Sequence, residues 1–204
     1  MNPSLKSLAI FLVMLCVHGN IEAESNPHQF IDLQAQKMVS LIINNQELFA
    51  EDPQLFTDKI SAIFEPMVDF RRVGASVMGK KYYIASSKSQ RLEFIESFKD
   101  SLLDTYTSTL AQWGDQRIVT IFPEISEFQK TEDIQQILIT SSNIYPITYK
   151  VRKNKDGNWL IINIIVNGVN LGLTFRNQFQ ALAKEHNGDI DEIIKHWTSD
   201  ANLN

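Results

Sequence analysis

Beyond residue 23 the chain holds three histidines, His28, His186 and His196, and none stands in an H-E-x-x-H or comparable metal-ligand spacing. They read as surface residues on helices. The lone cysteine, Cys16, lies in the N-terminal stretch and no G-x-S-x-G occurs, so nucleophile-and-base chemistry has no anchor. The glycines never gather into G-x-G-x-x-G or a Walker loop, which removes the usual phosphate cradles. Asp189 with Asp191, and Glu132 with Asp133, are close carboxylates that most simply sit at helix starts or in solvated turns. Paired-carboxylate hydrolysis has no positive support. Arg71, Arg72 and Arg176 differ in kind, because a guanidinium fork suits phosphate and carboxylate equally well. The competing reading is a structural ion pair or a solvated helix face.

Positioning such groups falls to a series of helices followed by strands. Asn26 can cap a helix with Pro27 at its first position, and Phe30, Leu33, Met38, Leu41 and Ile42 continue at helical spacing to about Asn45. Asp52 and Pro53 repeat that signal before Phe56, Ile60, Ile63, Phe64 and Met67, and Pro66 should end or kink the helix. A third helical piece runs from Val68 to Gly79, where glycine suits a left-handed cap. Ser87 and Gln90 form a capping-box pattern ahead of the longest helix, which carries Leu92, Ile95, Phe98, Leu102, Tyr106, Thr109 and Trp113.

After Gly114 the period changes. Residues 117–122, 134–141 and 145–152 are rich in β-branched and aromatic side chains, and a further strand begins at Trp159. Asp156-Gly157 between the last two reads as a hairpin turn. Helix resumes around Phe175 and is capped by Gly188, and a short helix around Ile193 and Ile194 follows. Helices, then a block of strands, then helix again predict an α+β fold: N-terminal helices and a C-terminal helix packed on one antiparallel sheet of about four strands.

The strand from Trp159 is apolar on both faces. With strict alternation Leu160, Ile162, Ile164 and Val166 share one face, and Trp159, Ile161 and Ile165 share the other, interrupted by Asn163. Each face therefore needs apolar cover. Helices can supply one, and a second layer or a bound apolar ligand the other. Pattern alone does not separate a packed interior from a lined cavity.

The N-terminus reads as an address. Lys6 precedes an apolar run over residues 8–17, and Ala23 offers a cleavage point, so residues 1–23 are expected to be a secretory signal peptide. That run is too short to span a bilayer of roughly 30 Å. Cleavage leaves residues 24–204 as a single domain without cysteine, which suits a bacterial periplasm. The formal charge is −5, and Lys6 and Glu22 cancel within the removed segment, which argues against a nucleic-acid partner or a polybasic grip on anionic membranes. No later apolar run reaches the roughly 18 residues of a membrane span.

Two blocks carry a family resemblance. The first, "DFRRVGASVMGKKYYIASSKSQRLEFIESFKDSLLDTY", joins an arginine-containing helix and its glycine to an aromatic pair, an A-S…Q-R-like helix start, phenylalanines and a Thr-Tyr. The second, "YKVRKNKDGNWLIINIIVNGVNLGLTFRNQF", adds the hairpin, a V-x-G-V at Val166, Gly168 and Val169, and an R-x-Q-F at Arg176, Gln178 and Phe179. Their order resembles the MlaC or toluene-tolerance family of periplasmic phospholipid-binding proteins. The chain departs from that pattern at Asn170, where serine is frequent, at Asn163, where aspartate is common, and at Phe175, where tyrosine is frequent.

The resemblance implies a non-enzymatic carrier in the periplasm with a phospholipid as cargo and no cofactor. Its implied partners are an outer-membrane lipoprotein and porin complex and an inner-membrane ABC transporter complex with its lipid-binding subunit. The acyl chains are then expected between sheet and helices, against Val73, Val77, Leu102, Tyr106, Ile137, Ile139, Ile147, Tyr149, Ile162, Ile164, Val166, Val169 and Leu171. Arg71, Arg72 and Arg176 become candidates for the headgroup or for a partner surface. A small exported enzyme with an apolar pocket, and a lipid-free adaptor between membrane complexes, are the competing functions.

Overall fold

The computed structural model describes residues 26–124 and 127–199, so the expected signal peptide, residues 1–23, lies outside the described residues. Helix α1 (Pro27–Asn44) opens as its sequence predicts: Asn26 Oδ1 accepts from the amides of His28 and Gln29, and Pro27 takes the position where a missing N–H costs nothing. A short helix that the periodicity did not reveal, α2 (Gln46–Glu51), leads into α3 (Pro53–Phe64), whose first turn is capped by Asp52. Pro66 ends α3 as expected, within a 3-10 turn over Glu65–Met67.

Helix α4 (Phe70–Ala85) is broken at Gly79, whose φ of 71° and ψ of 161° lie where essentially only glycine is tolerated. The helix stops there as the sequence predicts and then restarts at once without a loop. Ser87 and Gln90 form the full reciprocal capping box at the head of α5 (Lys88–Ala111).

The sheet has five strands, one more than expected: β1 (Arg117–Thr120), β2 (Thr131–Ile139), β3 (Ile144–Lys153), β4 (Trp159–Val166) and β5 (Val169–Asn170). They are antiparallel and lie in chain order, β1-β2-β3-β4-β5. Strand β5 exists because Asn167 and Gly168 both take positive φ, 49° and 82°, and turn Val166 back onto Val169. Asn-Gly is the dipeptide that a tight two-residue turn favours. Helix α6 (Leu171–Glu185) follows directly, capped by Asn170, and α7 (Ile190–Lys195) closes the described chain. No helix among the described residues is long and apolar enough to cross a membrane.

A β-bulge in β4 alters the expected facing. Val151 pairs with Ile161 while Lys150 pairs with Asn163, so Ile162 is an extra residue without a partner in the ladder. The bulge puts Trp159, Ile161, Ile164 and Val166 on one face, opposite Lys153, Val151, Tyr149 and Ile147 of β3. Strict alternation had divided these four between two faces.

Three hydrophobic clusters hold the layers together. Phe94 and Phe98 of α5, Phe175 and Phe179 of α6, and Trp197 just past α7 make edge-to-face and tilted ring contacts at 5.1–6.2 Å, and Phe70, Val77 and Met78 bring α4 into the same cluster. Ile31 joins Ile134, Val151, Trp159 and Ile161 beneath α1. Ile42, Phe56, Ile60 and Leu103 pack α1, α3 and α5. His28, expected at the surface, is instead buried at 6% exposure, with Nδ1 3.1 Å from the Ile121 carbonyl and its ring against Phe122 and Phe128. One face of an imidazole packs as well as an apolar side chain once its nitrogen has a partner.

Candidate functional site

Where the three clusters meet, a space is left that none of them fills. The cavity measures about 320 Å³. Ile60 and Leu103 border it from one cluster, Phe70, Phe98 and Phe175 from another, and Ile161 from the sheet. Helix α5 gives the longest wall, with Leu102, Tyr106, Thr107 and Leu110 a helical turn apart or adjacent, and β3 and β4 face it with Ile147, Tyr149, Ile164 and Val166. Val73, Leu171 and Gly172 stand at the end toward α4 and α6.

Of the residues the sequence nominated, Val73, Leu102, Tyr106, Ile147, Tyr149, Ile164, Val166 and Leu171 line this one space. Five are placed elsewhere. Val77 is fully buried in the helical cluster, because it faces α5 and α6 rather than the sheet. Ile137 and Ile139 lie on the sheet face opposite Ile134 and Gln136, since their cross-strand partners are Val119, Pro146 and Ile144. Ile162 is displaced by the bulge, and Val169 sits in β5 outside the lining. Met38, Ile60, Phe64, Phe70, Leu110 and Phe175 line the cavity without having been nominated. Helical spacing marks Met38, Ile60 and Phe64 as buried, and only the separation of the layers decides that they and the other three face a void.

The lining is almost wholly apolar. Tyr106 and Tyr149 are its titratable side chains. Burial pushes the Tyr149 phenol up to about 12, since an ionised phenolate would lose its water there. That is the wrong direction for a general base near neutral pH. Thr107 Oγ1 is buried without a hydrogen-bond partner, a state that costs about 1–3 kcal/mol unless a ligand atom satisfies it.

Asn163 stands where the cavity meets the outside. Its Nδ2 donates to Asn170 Oδ1 at 3.0 Å, and its Oδ1 accepts from the Gly172 amide at 3.0 Å. A Cβ at Gly172 would come within 2.5 Å of that oxygen, so glycine is what allows β4 and α6 to meet this closely. Beyond this point lies a groove that includes Arg72 and Arg176, whereas Arg71 is exposed on α4 outside both spaces. Arg72 Nε is 3.3 Å from Asp69 Oδ2, an exposed pair of small energetic weight.

One group of side chains among the described residues could hold a metal ion. His186, at the end of α6, stacks on His196 with centroids 4.6 Å apart, and Glu192 completes a set whose ligand atoms lie within 4.8 Å of one another. The two histidines are ten residues apart in sequence, and only the α6–α7 corner brings them together.

Comparison with known proteins bears on this geometry. The family model described as MlaC protein matches residues 33–199. The chain is 29% identical over 180 residues to the toluene tolerance protein ttg2D of Pseudomonas putida, covering 87% of this chain and 82% of that one. It is 27% identical over 191 residues to the intermembrane phospholipid transport system binding protein MlaC of Haemophilus influenzae, covering 92% and 87% respectively. Its fold is similar to that of a phospholipid-binding protein from Ralstonia solanacearum solved with a phospholipid, with a TM-score of 0.74 at 18% identity over 82% of this chain and 92% of that one.

Proposed function

The chain belongs to the MlaC family, and from that membership and the apolar cavity we propose that it is a phospholipid carrier of the periplasm. It takes lipid at one membrane complex and yields it at another: an outer-membrane lipoprotein and porin complex on one side, an inner-membrane ABC transporter complex with its lipid-binding subunit on the other. Residues 1–23 direct its export, and it catalyses no reaction.

The observation that carries this reading is an interior space walled by Phe98, Leu102, Ile147 and Ile164 and nearly free of polar atoms. A two-chain lipid with on the order of 30 methylenes costs roughly 24 kcal/mol to expose, at about 0.8 kcal/mol each. It cannot cross an aqueous compartment uncovered, and a carrier needs apolar walls without reactive groups. An enzyme would need an acid, base or nucleophile in the pocket, and the lining offers two tyrosines. A lipid-free adaptor would have no use for an unfilled interior, which destabilises its fold.

Native mass spectrometry and lipid extraction of the processed protein test the proposal. About one phospholipid per chain is expected, with transfer between vesicles. A protein that is consistently empty and moves no lipid would overturn it.

A further inference from the structure

The cavity opens past Asn163 onto a groove that carries the charge the cavity lacks. Arg72, Ser76 and Lys80 of α4, Lys150 of β3 and Arg176 of α6 line it. It shares Val73, Asn163 and Gly172 with the cavity, so a molecule whose apolar part fills one has its other end in the other. The charged members of its lining are four cations and no carboxylate, in a chain whose formal charge is −5. Two of the four are answered at the edge, Arg72 by Asp69 at 3.3 Å and Lys150 by Asp133 at 2.8 Å. Lys80 and Arg176 have no ion pair among the described residues.

Arg176 also has a prepared seat. At Gly79, where α4 breaks, a Cβ would lie 3.3 Å from Nη2 and 3.6 Å from Cζ of Arg176. The absent side chain lets the guanidinium lie along the α4 backbone and face the groove. The break in the helix and the placement of the arginine are thus one feature.

We propose that this groove selects the headgroup, favouring phospholipids whose phosphate is not accompanied by an ammonium. The favoured class is phosphatidylglycerol rather than phosphatidylethanolamine. The inference rests on the carrier reading. Guanidinium and ammonium donors suit the phosphate that both lipids share. The discrimination comes from the second half of the headgroup. An ethanolamine nitrogen would enter a space lined by like charges and no carboxylate, whereas glycerol hydroxyls find the Ser76 hydroxyl and the Asn170 amide.

Solvent-exposed charge contacts are each worth well under a factor of ten, so two unanswered cations predict a roughly fivefold enrichment. The processed protein is incubated with equimolar phosphatidylglycerol and phosphatidylethanolamine vesicles and re-isolated, and its lipid is extracted and counted by headgroup. Enrichment over the donor ratio is expected in the wild type and is expected to vanish in the double variant Lys80→Gln/Arg176→Gln. The ratio is read among chains that carry lipid, so it is defined however much lipid the variant retains. A second variant with the same loss of charge outside the groove, Lys37→Gln/Lys184→Gln, keeps the wild-type ratio. A wild type that mirrors the vesicles, a groove variant that keeps the enrichment, or a control that loses it overturns the selection. Wild type carrying no lipid overturns the carrier reading itself, a different outcome read in the same extract.

Discussion

Emptying the cavity should cost the protein a large part of its stability. Unfilled apolar cavities destabilise by about 24 cal/mol per Å³, so a void of about 320 Å³ that kept its shape would cost about 8 kcal/mol. Partial collapse of α5 toward the sheet, and water at the end near Asn163, reduce this to about half. Even about 4 kcal/mol is a major fraction of the 5–15 kcal/mol by which a domain is typically stable. For a chain of this length each kcal/mol moves the melting temperature by roughly 2–4 °C. A stripped protein should therefore melt at least about 8 °C below the loaded one. Calorimetry on the processed protein before and after lipid extraction measures this, with lipid content counted in both samples. Adding phospholipid back should restore the higher transition. Equal melting temperatures, within about 2 °C, for samples shown to differ in lipid content would refute the reasoning, because the cargo would then not be completing the core.

Other perturbations act on single residues. Ile164→Glu places a carboxylate on the cavity wall and should reduce co-purifying lipid by about tenfold or more, whereas Ile139→Glu, on the opposite sheet face, should not; equal retention by both would show that the cavity does not hold the chains. Tyr149 keeps its proton in the folded state to a pH near 12, while the unfolded chain releases it near 10. The native state thus binds more protons between those values, and stability should fall by about 2 kcal/mol as pH rises from 10 to 12. Urea midpoints of wild type and Tyr149→Phe at pH 9 and 11.5 test this, with the smaller loss expected in the variant. Gly79→Ala forces a side chain onto a φ of 71° and against Arg176, and should cost about 1–3 kcal/mol in denaturant unfolding.

Local chemistry was legible in the sequence wherever a few adjacent residues decide the outcome. Asn26 with Pro27, Asp52 with Pro53, and Ser87 with Gln90 each open a helix where the pattern places it. The bulge at Ile162 was not legible, because it is set by the ladder with β3 rather than by β4 itself. Its consequence was that Ile161 had been assigned away from Ile164 and Val166. Asn167-Gly168 carries the two-residue turn signal of the fifth strand, which a strand of two residues gives no periodicity to support. The site was legible by half for a related reason. Ile95 and Leu102 lie two turns apart on α5 and look alike in sequence, yet the first is packed and the second faces the void. Whether an apolar side chain meets protein or empty space depends on how far apart two layers are held, and periodicity carries no information about distance.

The two ends of the sheet bear on whether copies of the protein can add to one another. Its outer face displays Val119 and Ile144, 46% and 66% exposed, beside Ile137 and Ile139. A sheet with such a face and a long open edge would invite copies to add strand upon strand. The edges here are β1, four residues, and β5, two residues that pass straight into α6. Neither covers its neighbour fully, so Thr131 to Gln135 of β2 and Trp159 to Ile164 of β4 lie beyond the edge strands, where the Ile121 amide donates to the Gln135 carbonyl and the Asp69 amide to the Ile161 carbonyl, two bonds that an added strand would have to displace.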